Sequence, residues 1–215
     1  MAGGAPAARK PPHPWLPPAV LTGALIPLAV MIARAATENL GAEPVATALN
    51  QLGLLALIFL VASLACTPLK TLVGWTWPVR LRRMLGLLAF FYAALHVLLY
   101  AVVDQGLDLG RIVADVTTRK FIFVGVMALV LMAPLAATST AGSVKRLGYE
   151  RWKRLHRLAY LSAGLGAFHF YLRVKRDHTE PVVYASILGA LLAARVVFAI
   201  RDRRRAASAA TARAR

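Results

Sequence analysis

The chain has 215 residues, of which 59% are hydrophobic and only 16% are charged. Soluble domains carry about 45–50% apolar and about 25% charged residues, so this composition excludes an ordinary soluble domain and favours a single helical bundle in a membrane. The net charge of +17 does not indicate nucleic-acid binding, because the basic residues separate apolar segments and no nucleic-acid motif accompanies them.

Six apolar segments are each near the ~20 residues that a membrane-spanning helix needs. Turn-forming and charged residues separate them, as at Glu43-Pro44, Asp104-Gln105-Gly106 and Glu180-Pro181. Open strands are excluded because backbone groups in lipid must be satisfied internally, and the runs are too continuous for barrel strands. The sequence therefore predicts an all-α, six-helix transmembrane bundle over residues 18–201, with spans near 18–36, 48–67, 84–103, 120–138, 155–172 and 181–200.

The first span and the two ends of the chain have distinct compositions. Ala33-Arg34-Ala35 resembles a signal-peptidase site, but the apolar run before it is long, so we expect a retained helix. Residues 1–17 are rich in proline and alanine and residues 202–215 in alanine and arginine, which favours disorder in both. The basic tail is expected to lie on anionic lipid headgroups.

Lysine and arginine are distributed unevenly between the two sides of the predicted bundle. One side carries 17 of them, in residues 9–10, 70–83, 145–154 and 201–215, and the other carries seven, in Arg34 and residues 111–120 and 173–176. Because cytoplasmic loops are enriched in these residues, both termini are predicted to lie in the cytoplasm.

Three histidines in the apolar segments are the strongest functional signal, since a buried imidazole in hydrocarbon is costly. His96 lies thirteen residues after Arg83, and His169 lies thirteen residues after His156, each counted from the inner end of its helix. Thirteen helical residues rise about 20 Å, which predicts the same depth for His96 and His169, in the outer half of the membrane. Two neutral imidazoles at one depth on facing helices can bind one haem iron from both faces.

Small residues flank this histidine pair, which leaves room for close helix approach or for a flat macrocycle; they are Ala93, Ala94, Gly164, Gly166 and Ala167. In the alternative interpretation, each histidine only hydrogen-bonds a neighbouring helix.

The third histidine, His156, lies at the inner edge of the bundle. The position of matching depth on the third span holds Arg82 or Arg83, so a second haem there would need an unusual second ligand, with an arginine contacting a propionate or approaching the iron. Alternatively, His156 contacts a flavin or a quinone, or lies at the boundary with the lipid headgroups. Arg195, in the last span, is predicted either to extend towards the inner surface or to contact a propionate or quinone.

Catalytic groups are scarce in this chain. None of the nine aspartate and glutamate residues falls in the middle of a span, which weakens a proton-coupled transporter hypothesis. No GxSxG, HExxH, Walker A or GxGxxG motif is present, and the single cysteine, Cys66, excludes an internal disulfide. We therefore predict no catalytic residue.

Several runs of residues resemble the MsrQ (YedZ) family, and the resemblance covers residues 15–203. The most specific run joins the fourth loop to the fifth span and includes His156. The matching runs are Thr67-Pro68-Leu69, Arg82-Arg83-Met84-Leu85-Gly86-Leu87 with Tyr92 and Leu95-His96, Thr138-Ser139-Thr140, Leu147-Gly148, and Trp152-Lys153-Arg154-Leu155-His156-Arg157-Leu158-Ala159-Tyr160.

This resemblance implies a ferric-reductase-like transmembrane protein of the bacterial inner membrane. It implies the b-haem subunit of a protein-methionine-sulfoxide reductase system, which takes electrons from the quinone pool or a cytoplasmic flavin reductase. The acceptor would be MsrP, a periplasmic molybdopterin enzyme that repairs oxidised periplasmic proteins, and FMN is also associated with the family. Wider members carry two histidine pairs, whereas this chain lacks the inner histidine of the third span, which leaves either one or two haems.

Two other functions compete with this electron-transfer hypothesis. A stand-alone transmembrane ferric or metal reductase would reduce ferric chelates without a partner. A transporter or assembly protein would use its histidines only to hold helices together, and the absence of acidic residues in the middle of the spans speaks against transport.

Overall fold

The computed structural model describes residues 13–213, and within that range the chain is helical, without strands. A π-helical turn, Tyr100–Asp104, extends the third helix. The α-helices are α1 (Leu16–Ala36), α2 (Pro44–Val73), α3 (Trp77–Leu99), α4 (Leu109–Thr118), α5 (Lys120–Ala137), α6 (Ala141–Leu147), α7 (Tyr149–Leu155), α8 (Leu158–Arg173) and α9 (Thr179–Arg213).

Local sequence signals explain where these helices begin and end. Pro44 stands in the first turn of α2, where its missing N–H costs no helical hydrogen bond, and Gly74 ends that helix in the left-handed conformation with φ of 77°. The Asp108 and Thr140 side chains cap α4 and α6 by accepting hydrogen bonds from backbone N–H groups. The short helices α4, α6 and α7 therefore connect the longer helices.

Five helices in the described part of the chain are long and apolar enough to cross a membrane: α1, α2, α3 with its π-helical turn, α5 and α9. The predicted fifth span, residues 155–172, is not confirmed as a spanning helix, and neither is the count of six. The chain turns at His156 and Arg157, so α8 has only 16 residues. Sixteen helical residues rise about 24 Å, short of a ~30 Å hydrocarbon core.

Two antiparallel helix pairs, α2 with α3 and α5 with α8, form the centre of the bundle, and α9 packs against α8 and α2. We call the end of the bundle with the α1–α2 loop, α4 and the α8–α9 loop the outer end, and the end with the α2–α3 loop, α6 and α7 the inner end. The buried core lies between the pairs and consists of Leu60, Leu64, Ala89, Met132, Ala163, Ala167 and Leu188.

Tyr92 fastens the long first helix to this centre. Its side chain is 0% exposed, its ring stacks on Phe59 with centroids 5.5 Å apart, and its hydroxyl donates a hydrogen bond to the Ala24 carbonyl of α1 at 2.5 Å. Much of α1 is otherwise exposed, as expected for a helix that faces lipid. Tyr92 lies one helical turn before His96 on α3, so it also fixes the helix that carries this histidine.

We expect Tyr92→Ala to lower the free energy of unfolding by about 3–5 kcal/mol, because it leaves an aromatic-sized cavity in the core. Tyr92→Phe keeps the ring and loses only the hydrogen bond to α1, so its cost should be about 1 kcal/mol. Denaturant unfolding of both variants in mild detergent measures the difference. Equal losses in the two variants would show that ring packing is not what matters at this position.

The sequence predicts disorder for both ends of the chain, and the structure describes only part of each end. Residues 1–12 lie outside the described residues, and the expectation is wrong for Leu16 and Pro17, with which α1 begins. In the tail the expectation is wrong for residues 202–213, because α9 continues without a break to Arg213. Alanine and arginine are both strong helix formers, so the composition that suggested disorder also supports a helix.

Candidate functional site

His96 on α3 and His169 on α8 come together near the outer end of the bundle, as their matched depth predicts. The centroids of the two imidazole rings are 6.2 Å apart, and the ring planes are nearly perpendicular, at 83°. Both side chains are partly buried between the two helix pairs. Each pair of helices therefore contributes one imidazole to a single site.

The same local contact fixes each imidazole. The Nδ1 atom of His96 donates to the Leu49 carbonyl of α2 at 2.9 Å, and the Nδ1 atom of His169 donates to the Phe121 carbonyl of α5 at 2.6 Å. A carbonyl oxygen can only accept, so the proton of each neutral ring is on Nδ1 and Nε2 keeps its lone pair. Histidines that bind a metal are oriented in the same way, by donating the N–H of the other ring nitrogen to a carbonyl or carboxylate.

The separation of the rings fits two ligands on one iron. With a metal–nitrogen bond of about 2.0–2.1 Å, imidazoles on opposite sides of one ion have ring centroids about 6.3 Å apart. The two imidazoles would hold the iron through their Nε2 atoms, and a bound haem would supply one-electron chemistry there. The residues present therefore fit a haem.

Arg173, which sequence reasoning did not single out, lies one helical turn after His169 at the outer end of α8. Its guanidinium is partly buried and lies close enough to interact electrostatically with both His96 and His169. Among residues 13–213 it forms neither an ion pair nor a hydrogen bond. Its position one turn from a predicted iron ligand is the signal that could have identified it.

His156 lies in the turn between α7 and α8 instead of inside a helix, which corrects its predicted placement within the fifth span. Its ring stacks on Trp152 with centroids 4.0 Å apart, and its Nδ1 atom donates to the Trp152 carbonyl at 3.1 Å. The Trp152 indole N–H in turn donates to the Thr138 carbonyl at 3.0 Å. The Nε2 atom of His156 is buried and has no hydrogen-bond partner of ordinary geometry, although the Leu135 carbonyl lies near the ring, so this atom is available to a ligand.

A cavity of about 390 Å³ opens beside His156 at the inner end of the bundle. This volume is within the ~300–1,000 Å³ range of small-molecule and cofactor sites. Its described lining includes Arg82 and Arg83 but no carboxylate. The polar and charged lining residues are Ser63, Arg82, Arg83, Ser139, Thr140, Trp152 and His156.

The two arginines of the cavity are held differently. The Nη1 atom of Arg82 donates to the Thr67 hydroxyl at 3.4 Å, and its backbone carbonyl accepts a hydrogen bond from Ser63 at 2.9 Å, so α2 fixes this part of α3. Arg83 is exposed at the cavity edge. A half-buried cation without an acidic partner, as at Arg82, favours an anionic group, which makes the cavity suited to a ligand with carboxylates or phosphates.

Arg195 does not extend towards the inner surface. It donates from Nη1 to the Tyr160 hydroxyl and from Nη2 to the Leu64 carbonyl, both at 2.6 Å, and its Nε atom is buried without a partner. Its guanidinium also lies 5.1 Å from the centre of the Tyr160 ring. Arg195 therefore connects α9 to α8 and α2, and its predicted contact with a propionate or quinone stays a prediction.

Comparison with known proteins gives consistent matches over most of the chain. Residues 47–167 match the family described as "Ferric reductase like transmembrane component". A protein of Deinococcus radiodurans is 50% identical over 190 residues, which cover 88% of this chain and 94% of that protein. A protein of Rhodospirillum rubrum is 52% identical over 186 residues, covering 86% and 89%, and one of Ralstonia nicotianae is 44% identical over 188 residues, covering 86% and 87%. All three are named "Protein-methionine-sulfoxide reductase heme-binding subunit MsrQ".

Proposed function

Because the chain belongs to the MsrQ family of ferric-reductase-like transmembrane proteins, we propose that it is the b-haem electron-transfer subunit of a protein-methionine-sulfoxide reductase system. The observation that carries the proposal is the pair His96 and His169, whose rings lie 6.2 Å apart with both Nδ1 atoms engaged. When bound, haem b supplies one-electron chemistry at its iron.

The residues around the outer site bind and orient the cofactor. His96 and His169 offer their Nε2 atoms as iron ligands, while the Leu49 and Phe121 carbonyls fix the orientation of the rings and raise their basicity. Arg173 has the position and charge to pair with a carboxylate such as a haem propionate. Together these groups suit a cofactor that carries both an iron ion and carboxylates, as haem b does.

The inner cavity is the proposed point of electron input. His156, with its unpartnered Nε2 atom, and Arg82 and Arg83, without a carboxylate beside them, support an anionic redox cofactor there. The sequence leaves three candidates for this cofactor: a second haem b, FMN or a quinone. The cavity also lies next to basic helices, which can bind a cytoplasmic flavin reductase. Arg195 is proposed to keep its hydrogen bonds to Tyr160 and Leu64, close enough to Arg82 of the cavity to interact with it electrostatically.

We place the protein in the bacterial inner membrane with both termini in the cytoplasm, which is supported by the excess of lysine and arginine at the inner end. In this orientation α8 acts as a sixth, short span, since α7 and the turn at His156 carry the chain to the inner surface. The outer end then faces the periplasm.

The chemistry on methionine sulfoxide belongs to the partner in this proposal. The protein itself has no catalytic role and passes electrons from quinol or a flavin reductase to a periplasmic molybdopterin methionine-sulfoxide reductase, MsrP. The nearness of the histidine pair to the outer end supports delivery to a partner on that side.

Anaerobic reoxidation of the purified protein tests this function. The protein is reduced with limiting dithionite and then mixed with purified MsrP, with methionine sulfoxide, or with both, while the haem absorbance is followed. We expect rapid reoxidation only when both are present. Equal reoxidation by ferric citrate without a partner would favour a stand-alone ferric reductase, and a folded protein without haem would favour a helix-bundle transporter or assembly protein.

A further inference from the structure

Two glycines lie directly against the imidazoles of the predicted iron ligands. A Cβ atom added at Gly125 of α5 would lie 2.7 Å from His169 Nδ1 and 2.9 Å from its Cε1. A Cβ atom added at Gly53 of α2 would lie 3.3 Å from His96 Nδ1. Separations under 3.0 Å cannot be accommodated without a shift of the ring, whereas a contact of 3.3 Å is relieved by a few tenths of an ångström.

The two glycines occupy the same position relative to the carbonyls that accept the histidine hydrogen bonds. Gly53 follows Leu49 by four residues, and Gly125 follows Phe121 by four residues. Because every Cα–Cβ bond in a helix is tilted towards the N-terminus, a side chain at either glycine would lean over the carbonyl one turn earlier. Glycine leaves that carbonyl open to a side chain from another helix.

We propose that Gly125 and Gly53 are positioning residues for the haem ligands. Each lets the imidazole of a facing helix reach a carbonyl, which holds the proton on Nδ1 and presents Nε2 to the iron. This inference rests on the proposed function, because positioning matters only if the two histidines bind haem iron. The same arrangement of glycine, carbonyl and imidazole occurs once in each helix pair, so it would position both iron ligands in the same way.

Other glycines in the bundle provide matched controls. A Cβ atom added at Gly23 of α1 or at Gly189 of α9 meets no atom within 4 Å. Alanine favours a helix over glycine at all four positions, so helix propensity by itself predicts no loss from any of these substitutions. A defect confined to Gly125 and Gly53 would therefore come from the contact with the imidazoles.

The experiment compares Gly125→Ala, Gly53→Ala, Gly23→Ala and Gly189→Ala as purified full-length proteins. Haem content is measured together with the fraction of low-spin iron, by visible and electron paramagnetic resonance spectroscopy. For Gly125→Ala we expect haem to be held about 10- to 100-fold more weakly, the usual effect of losing an outer-shell partner, with the remaining haem high-spin. Gly53→Ala should show a smaller loss of the same kind, and the two controls should match the wild type.

Added imidazole distinguishes displacement of the ligand from general damage. If Gly125→Ala moves His169 away from the iron, free imidazole should restore the low-spin spectrum, which it would not do for a misfolded protein. Should Gly125→Ala fail to accumulate, a measurable high-spin fraction in Gly53→Ala is the expected result. A wild-type low-spin spectrum in both glycine variants would overturn the inference, whereas wild-type protein without haem would instead overturn the proposed function.

Discussion

Purified His96→Ala and His169→Ala variants are each expected to lose the low-spin b-type spectrum and to retain at least tenfold less haem than the wild type. The magnitude follows because disturbing only an outer-shell partner costs about 10–100-fold in metal affinity, and removing the ligand costs more. Each variant keeps only one of the two imidazoles that are proposed to bind the iron. Haem and iron content per protein, with oxidised and dithionite-reduced spectra, measure the loss.

His178→Ala is the matched control for these variants. His178 lies in the α8–α9 loop, where its ring is 4.8 Å from that of Tyr171 and has no contact with the histidine pair. This variant should keep the full haem content. A wild-type spectrum in either His96→Ala or His169→Ala would contradict ligation by the pair, and it would leave the 6.2 Å approach of the rings as helix packing.

His156→Ala is expected to slow reduction of the protein by an added donor at least tenfold while the outer low-spin spectrum persists. The substitution removes the buried Nε2 atom that faces the inner cavity and the ring that stacks on Trp152. The outer site lies elsewhere in the bundle, so its two ligands should be unaffected. Stopped-flow reduction by duroquinol and by reduced FMN measures the effect, and a partial loss of haem would identify the inner cofactor as a second haem.

The neighbouring residue supplies the control for this prediction. Arg157 is exposed and lies in the same turn, so Arg157→Ala should be reduced at the wild-type rate. Equal slowing in His156→Ala and Arg157→Ala would indicate a damaged donor surface, not a cofactor at His156. An unchanged rate in His156→Ala would remove the inner cavity from the electron path.

The histidine pair could be predicted from the sequence because the constant rise of a helix converts residue spacing into depth. The same spacing does not reveal the turn at His156, because Leu155 and Leu158 on either side of it keep a helical i, i+3 spacing. There the backbone departs only slightly from helical values, with ψ of −5° at His156, and a change this small leaves no mark on hydrophobic periodicity.

The groups that fix the imidazoles could not be predicted for a different reason. Gly53 and Gly125 lie on helices that carry no histidine, and their role depends on how α2 and α5 are rotated against their partners. The small residues that flank the histidines in sequence do not include these two glycines, and an added Cβ atom at Gly164 would meet no ring. Arg173, by contrast, is one turn from His169 and was within reach of helical spacing.

Electron paramagnetic resonance of the oxidised, purified protein tests most directly whether the two imidazoles share one iron. Ring planes at 83° leave the two iron d orbitals that interact with the imidazoles nearly equal in energy, which produces a strongly anisotropic low-spin ferric signal. We expect this signal in the wild type and, free of any inner cofactor, in His156→Ala. High-spin ferric iron alone, or folded protein with no haem iron, would contradict ligation by His96 and His169.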